Sequence, residues 1–211
     1  MSFLGEIVKY KSRCAIILED KKKINYKTLV SNSIIISKNI KERSLIFLLS
    51  GNNIETIAGY LGFLKINAVI MFINENIKHL SLINLIKIYE PNYIFCEKGK
   101  CNLPNYITSF SFLKYRLFEQ KSFKKVKMHN ELLLLMPTSG STGSSKYVKL
   151  SKENLVSNTN SIIDFLPINK NDVTITTLPV SYVYGLSIIN THLYNGSSIV
   201  LNKHSVLSKK F

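Results

Sequence analysis

Residues 132–146 read LLLLMPTSGSTGSSK, and this stretch determines how the rest of the chain is interpreted. Its first five residues form a continuous apolar run, which is typical of a strand buried on both faces of a parallel sheet. Residues 138–145 carry only hydroxyl groups and glycine, a composition that does not suit a protein core. The stretch therefore predicts a buried strand that ends in a polar, glycine-containing loop.

The loop after this strand is a candidate site for phosphate groups. Gly140 and Gly143 let the backbone approach a ligand closely, and Lys146 supplies a positive charge. Donors to phosphate oxygens come from the hydroxyl groups of Thr138, Ser139, Ser141 and Thr142. The spacing differs from that of the Walker phosphate loop and of the dinucleotide-binding glycine motif. A flexible Ser/Gly linker is the alternative, but a linker has no reason to lie between a buried strand and a capped helix.

Apolar runs of strand length alternate with longer segments of helical periodicity along the chain. This alternation predicts a doubly wound α/β fold with a mostly parallel sheet and crossover helices. Ser151, with Glu153 and Asn154 behind it, predicts the N-cap of a helix. The weakly periodic, lysine-rich segment 98–130 is predicted to be an irregular connection. The predicted strands are 14–18, 45–49, 68–73, 93–96, 132–136, 147–150, 173–178 and 198–201, and the predicted helices are 26–40, 54–65, 77–89, 152–166 and 184–194.

Composition limits the classes of function. The chain has 211 residues, of which 45% are hydrophobic, so it can form a substantial core without disulfides or a structural metal. Its net charge of +15 comes mainly from lysine rather than arginine, which disfavours nucleic acid as the partner. Cys14, Cys96 and Cys101 have no disulfide or zinc spacing. We therefore expect reduced thiols in a cytoplasmic protein without a secretory or membrane-spanning segment.

Residues 138–146 closely resemble the phosphate-binding signature of the adenylate-forming superfamily, which includes acyl-CoA synthetases, peptide-synthetase adenylation domains and luciferases. Ser145 stands where the family has proline, and Tyr147 stands where it has glycine. Residues 148–155 resemble the helix start that follows this signature, and residues 178–186, LPVSYVYGL, resemble the next core motif. Residues 24–29 and 59–68 resemble earlier family motifs in the correct order, so the resemblance extends over nearly the whole chain.

The resemblance implies ATP-dependent activation of a carboxylic acid. The acid attacks the α-phosphate of ATP, an acyl-adenylate forms, pyrophosphate leaves, and a thiol of CoA or a carrier protein then takes the acyl group in most members. It further implies that Mg²⁺ is bound through the ATP phosphates, which the loop residues of this chain hold. Tyr182, where histidine is common in the family, would lie near the acyl pocket with Tyr184 and Gly185. The alternative is that both tyrosines are ordinary core aromatics.

The family's later motifs have no counterpart in this sequence, so no catalytic residue and no metal ligand is assigned. Residues 1–211 are expected to be a partial AMP-binding N-terminal domain, with the C-terminal domain absent and the chain incompetent alone. Two alternatives are open. The chain is half of a split ligase that pairs with a separate polypeptide, or it is a non-catalytic module that binds nucleotide phosphate or RNA.

Overall fold

A computed structural model describes residues 3–101, 103–124, 126–138 and 146–202. The helices and strands alternate along most of this length, as the sequence predicts. The helices are α1 (Phe3–Val8), α2 (Tyr26–Ser37), α3 (Ile54–Lys65), α4 (His79–Tyr89), α5 (Lys152–Phe165) and α6 (Val183–Tyr194). The strands are β1 (Cys14–Ile17), β2 (Lys23–Asn25), β3 (Leu45–Ser50), β4 (Val69–Asn74), β5 (Tyr93–Glu97), β6 (Tyr106–Phe112), β7 (Tyr115–Gln120), β8 (Leu132–Pro137), β9 (Tyr147–Ser151), β10 (Val173–Ile175) and β11 (Ser198–Val200).

The central sheet has seven strands in the order β6-β7-β5-β3-β4-β8-β9. Its four inner strands, β5, β3, β4 and β8, are mutually parallel, and the outer strands on both sides are antiparallel. All six residues of β3 are buried, because its neighbours cover both edges and helices cover both faces. Alternate residues of β3 therefore enter two apolar clusters, one with α2 and α3 and the other with α4. This arrangement confirms the predicted α/β fold with a largely parallel sheet.

A second, four-stranded sheet has the order β10-β11-β1-β2 and was not expected as a separate unit. Strands β1 and β11 pair in parallel, although almost the whole described chain separates them in sequence. The sequence pattern identifies strands one at a time and does not say which of them pair. The predicted strand 173–178 is also shorter in the structure, where β10 ends at Ile175.

The segment 98–130 is not an irregular connection throughout, which corrects the expectation from sequence. It contains the antiparallel hairpin of β6 and β7, and β7 pairs with β5 to extend the central sheet. Most of β6 is exposed, so its sequence lacks the apolar runs that mark the inner strands. None of the described helices is both long enough and apolar enough to span a membrane.

Candidate functional site

The predicted phosphate loop connects β8 to β9. These strands form an antiparallel hairpin in which Pro137 lies opposite Tyr147. At the base of the loop, the backbone N–H of Thr138 donates to the carbonyl oxygen of Lys146 at 2.9 Å, and the Thr138 hydroxyl donates to the same oxygen at 3.1 Å. These two hydrogen bonds hold the ends of the loop together. The remaining predicted binding residues, Ser139, Gly140, Ser141, Thr142 and Gly143, lie outside the described part of the chain.

The loop lies at the carboxyl edge of the parallel strands. Strand β8 is parallel to β4, with Leu135 opposite Met71, so the two strands end side by side at Pro137 and Asn74. Open α/β sheets bind their ligands at this edge. The side chains of Thr138 and Lys146 are exposed there, so the ammonium group of Lys146 is available to an anion in solution.

Tyr147 anchors the second strand of the hairpin. Its ring lies edge-on to the ring of Tyr89 of α4, with 6.0 Å between the centroids. Burial raises the pKa of the Tyr147 phenol to about 12. The family signature has glycine at this position. In this chain the tyrosine at this position packs against α4 at the base of the loop.

Helix α5 follows β9 directly, and its start matches the prediction. The Ser151 hydroxyl accepts from the backbone N–H of Asn154 at 3.1 Å, and the Asn154 side chain accepts from the backbone N–H of Ser151 at 3.0 Å. This reciprocal capping box satisfies donors that the first helical turn leaves free. The direction in which the chain leaves the loop is therefore set by both the β9 pairing and the cap.

Tyr182, Tyr184 and Gly185 come together at the start of α6. The exposed fractions of Tyr182 and Tyr184 are 46% and 66%, so neither tyrosine is an ordinary core aromatic. Gly185 is buried against the backbone of the preceding segment: a Cβ atom at this position would lie 2.9 Å from the carbonyl carbon of Pro179. Helix α6 can thus approach residues 178–179 closely only with glycine here.

The two tyrosines lie beside further exposed apolar side chains around the start of α6, those of Leu178 and Val183. Ser187 of α6 donates to the side chain of Asn158 of α5 at 3.3 Å, which ties the two helices together. Exposed apolar side chains grouped in this way are typical of a place where a ligand or another polypeptide segment binds.

A cleft of about 830 Å³ lies at the carboxyl ends of β3, β4 and β5. The sequence did not predict it. Glu75 and Glu97 follow or end two of these strands and line it. Glu55, only 5% exposed, lines it as well, and its carboxylate accepts from the backbone N–H of Lys114 at 3.3 Å. Charged residues placed just after buried strands were the available signal. The pairing of these strands, which brings them together, is not visible in sequence.

Tyr115 holds the floor of this cleft together. Its hydroxyl donates to the carbonyl oxygen of Leu49 at 3.0 Å and accepts from the side-chain amide of Asn53 at 3.0 Å. Burial raises the pKa of the Tyr115 phenol to about 12, and the nearby carboxylates of Glu75 and Glu55 act in the same direction. The hydroxyl therefore stays protonated at neutral pH and links β3, α3 and β7.

In the part of the chain that the structure describes, no three His, Cys, Asp or Glu side chains come together in a way that could hold a metal ion. Mg²⁺ keeps several waters and binds through few protein ligands and substrate phosphates where a nucleotide is present. The exposed ammonium group of Lys146 at the sheet edge has the charge that suits an anionic group such as a phosphate.

Solved structures with the same fold belong to proteins that are longer than this chain. ATP-bound MatB from Rhodopseudomonas palustris superimposes with a TM-score of 0.76 and 19% identity over 96% of this chain and 45% of that one. VinN in complex with L-aspartate gives 0.75 and 19% over 95% and 62%, and AMP-bound O-succinylbenzoate coenzyme A synthetase (MenE) from Bacillus subtilis gives 0.74 and 16% over 96% and 55%. The chain thus spans about half the length of these proteins, and at such identities the likeness shows the fold.

A search of curated protein sequences found no match to this chain. The family model that describes AMP-binding enzymes, in contrast, matches residues 13–211, which include the hairpin loop and the start of α6. This match confirms the resemblance that the motif at residues 138–146 carries. The chain therefore belongs to the family of AMP-binding enzymes.

Proposed function

We propose that this chain provides the phosphate-binding part of a ligase that activates a carboxylic acid with ATP, forming an acyl-adenylate and releasing pyrophosphate. The observation that carries the proposal is the β8–β9 hairpin, whose loop is closed by Thr138 and Lys146 at the carboxyl edge of the parallel strands. The family match over residues 13–211 supports it. So does the fold shared with proteins solved in complex with ATP and AMP.

The loop residues bind the β- and γ-phosphates in this proposal. Lys146 neutralises negative charge on the phosphates, and hydroxyl and backbone N–H groups of residues 138–143 donate to phosphate oxygens. The Thr138 hydroxyl already donates to the carbonyl oxygen of Lys146, so it closes the loop and must rotate to reach a phosphate. Donors held in place before the reaction stabilise the charge that develops on the leaving pyrophosphate. Magnesium, bound through the phosphates, would supply further positive charge.

The acyl group of the substrate is proposed to lie against Tyr182, Tyr184 and Gly185. The exposure of the two tyrosines favours contact with a ligand over a role in the core. VinN was solved with L-aspartate, a carboxylic acid, which supports the same class of substrate here.

A thiol of CoA or of a carrier protein is the proposed acceptor of the acyl group. We place the protein in the cytoplasm, because the odd number and irregular spacing of its three cysteines are not typical of a secreted disulfide scaffold.

Nucleotide binding by the Lys146→Ala variant tests the phosphate site. Loss of a charge-assisted contact should weaken binding of a fluorescent ATP analogue by about tenfold or more. Lys149→Ala is the matched control, because Lys149 is also exposed but lies on β9 beyond the loop. The control should bind like the wild type. Equal affinity of all three proteins, or binding that is lost equally in both variants, would show that the loop does not hold the phosphates.

ATP–pyrophosphate exchange with a panel of short, long and aromatic acids tests the reaction itself. Exchange by the purified chain alone establishes a minimal enzyme. Exchange only after addition of a polypeptide encoded immediately downstream establishes a split ligase. The absence of exchange from both, in folded samples that bind the ATP analogue, contradicts the ligase proposal and favours a nucleotide-binding module.

A net charge of +15 attracts polyanions in general, so RNA is the second candidate ligand, although the scarcity of arginine disfavours it. Titration of the chain with single-stranded RNA at increasing salt concentration tests this function. Binding that weakens steeply with salt would support it, because phosphate contacts release counterions. Undetectable or salt-insensitive binding would exclude it.

A further inference from the structure

Cys96 and Cys101 lie in direct contact. Their sulfur atoms are 3.0 Å apart, and the thiol of Cys96 donates to the sulfur of Cys101. Cys96 is fully buried near the end of β5, and Cys101 is only 6% exposed. Cys14, the third cysteine, lies in β1 of the four-stranded sheet and contacts the carbonyl oxygen of Ile16. The chain therefore contains one close pair of thiols and one separate thiol.

A tight turn between the two cysteines holds them together. The backbone N–H of Lys100 donates to the carbonyl oxygen of Glu97 at 3.1 Å, and that of Lys98 donates to the carbonyl oxygen of Lys114 at 2.9 Å. Gly99 has a φ of +89°, a conformation that side-chain-bearing residues rarely adopt. The contact between the thiols thus follows from the path of the backbone, which folds Cys101 back over β5.

The two thiols differ in acidity. The hydrogen bond from Cys96 stabilises the thiolate of Cys101 and lowers its pKa. The pKa of Cys96 is raised, because its proton is held in this hydrogen bond and its sulfur is buried. A thiolate is the nucleophile in disulfide exchange, so Cys101, the more exposed of the two, is suited to attack first.

We propose that Cys96 and Cys101 form a reversible oxidation site. A small-molecule disulfide such as oxidised glutathione is the oxidant, and the product is an intramolecular disulfide between the two cysteines. The Cys101 thiolate attacks one sulfur of oxidised glutathione, forming a mixed disulfide and releasing one glutathione thiolate. Cys96 loses its proton to this thiolate and attacks the sulfur of Cys101, which releases the second glutathione as a thiolate that takes a proton from water. Two protein sulfurs are oxidised, and one glutathione disulfide is reduced to two glutathione molecules.

The disulfide acts on the wall of the large cleft. Glu97 and Lys100 lie between the two cysteines, and both line the cleft at the carboxyl edge of the sheet. A covalent bond between residues 96 and 101 restricts this turn, and therefore these two charges, to one arrangement. Oxidation consequently changes the mobility of one wall of the cleft.

Thiol counting by mass spectrometry tests the proposal. The full chain is incubated with oxidised or reduced glutathione, unfolded, and alkylated with N-ethylmaleimide. The reduced protein should carry three alkylated cysteines, and the oxidised protein only one, at Cys14. Dithiothreitol should restore all three. Trypsin cleaves after Lys98 and Lys100, so under non-reducing conditions the peptides that contain Cys96 and Cys101 should remain linked.

Serine variants separate this pair from nonspecific oxidation. Cys14→Ser is the matched control and should still lose two alkylatable thiols on oxidation. Cys101→Ser should form no internal disulfide. The proposal is overturned if the oxidised wild type keeps three alkylatable thiols, if its cysteines carry glutathione without an internal bond, or if it is linked between chains through Cys14. The wild-type measurement decides the question even if a variant does not fold.

Discussion

Gly185 is the residue of the candidate acyl site at which a single methyl group has the clearest structural consequence. Its α-carbon faces the backbone of residues 178–179, and a Cβ atom there would lie 3.0 Å from the carbonyl oxygen of Leu178 and 2.9 Å from the carbonyl carbon of Pro179. We expect Gly185→Ala to lower the free energy of unfolding by about 1–3 kcal/mol, because helix α6 must move away from this segment. Urea denaturation followed by circular dichroism measures the loss.

Gly99→Ala is the control for this substitution. No heavy atom lies within 4 Å of a Cβ at position 99, so the added methyl group meets only the cost of a positive φ, about 1 kcal/mol. Gly185→Ala should therefore lose more stability than Gly99→Ala. Losses in the reverse order would mean that the close approach of α6 to residues 178–179 does not exist in solution.

At the scale of secondary structure elements, the cap of α5 fixes the start of the helix that follows β9 and the predicted phosphate loop. Ser151→Ala removes the hydroxyl that accepts from the backbone N–H of Asn154, and we expect a loss of about 1 kcal/mol in unfolding free energy. Ser151→Asp should restore the stability, because aspartate caps helices equally well. Ser157→Ala, an exposed position within the same helix, should leave the stability unchanged or slightly higher. If the alanine variants at 151 and 157 behave alike, the cap does not stabilise the helix.

At the scale of the whole molecule, buried tyrosines couple folding to alkaline pH. The pKa values of Tyr115 and Tyr147 are raised from 10 to about 12 by burial. Above pH 10 the unfolded chain loses these protons while the folded chain keeps them, so the unfolded state binds fewer protons. Stability is then fully present below pH 10 and falls between pH 10 and 12, by about 1.4 kcal/mol per pH unit for the buried Tyr115 and by less for the more exposed Tyr147. Burial also raises the pKa values of Tyr26, Tyr60, Tyr93 and Tyr106.

Urea denaturation at intervals from pH 8 to pH 11 measures this dependence. Tyr115→Phe is the informative variant, since it removes one titrating group and the hydrogen bond to Leu49. It should be less stable than the wild type at pH 8 but should lose less stability between pH 10 and pH 11. Parallel curves for the two proteins would show that the Tyr115 phenol does not keep its proton in the folded state.

The local parts of the fold could be predicted from sequence. The inner strands are continuous apolar runs, and helix α3 has the predicted bounds, because burial on both faces or along one stripe leaves a pattern in consecutive residues. The same is true of the cap at Ser151 and of the position of the phosphate loop after β8. The β6–β7 hairpin was missed, since its largely exposed strand carries no such pattern.

Sequence by itself determined the family, the α/β alternation, and the place of the loop between Thr138 and Lys146 for which phosphate binding is proposed, because these properties reside in short contiguous segments. Only the tertiary structure decided the pairing of β1 with β11, the exposure of Tyr182 and Tyr184, the cleft, and the contact between Cys96 and Cys101. Each of these depends on which strands lie side by side and on how a turn folds back. Such contacts are selected by the packing free energy of the whole chain, and no short stretch of residues records them.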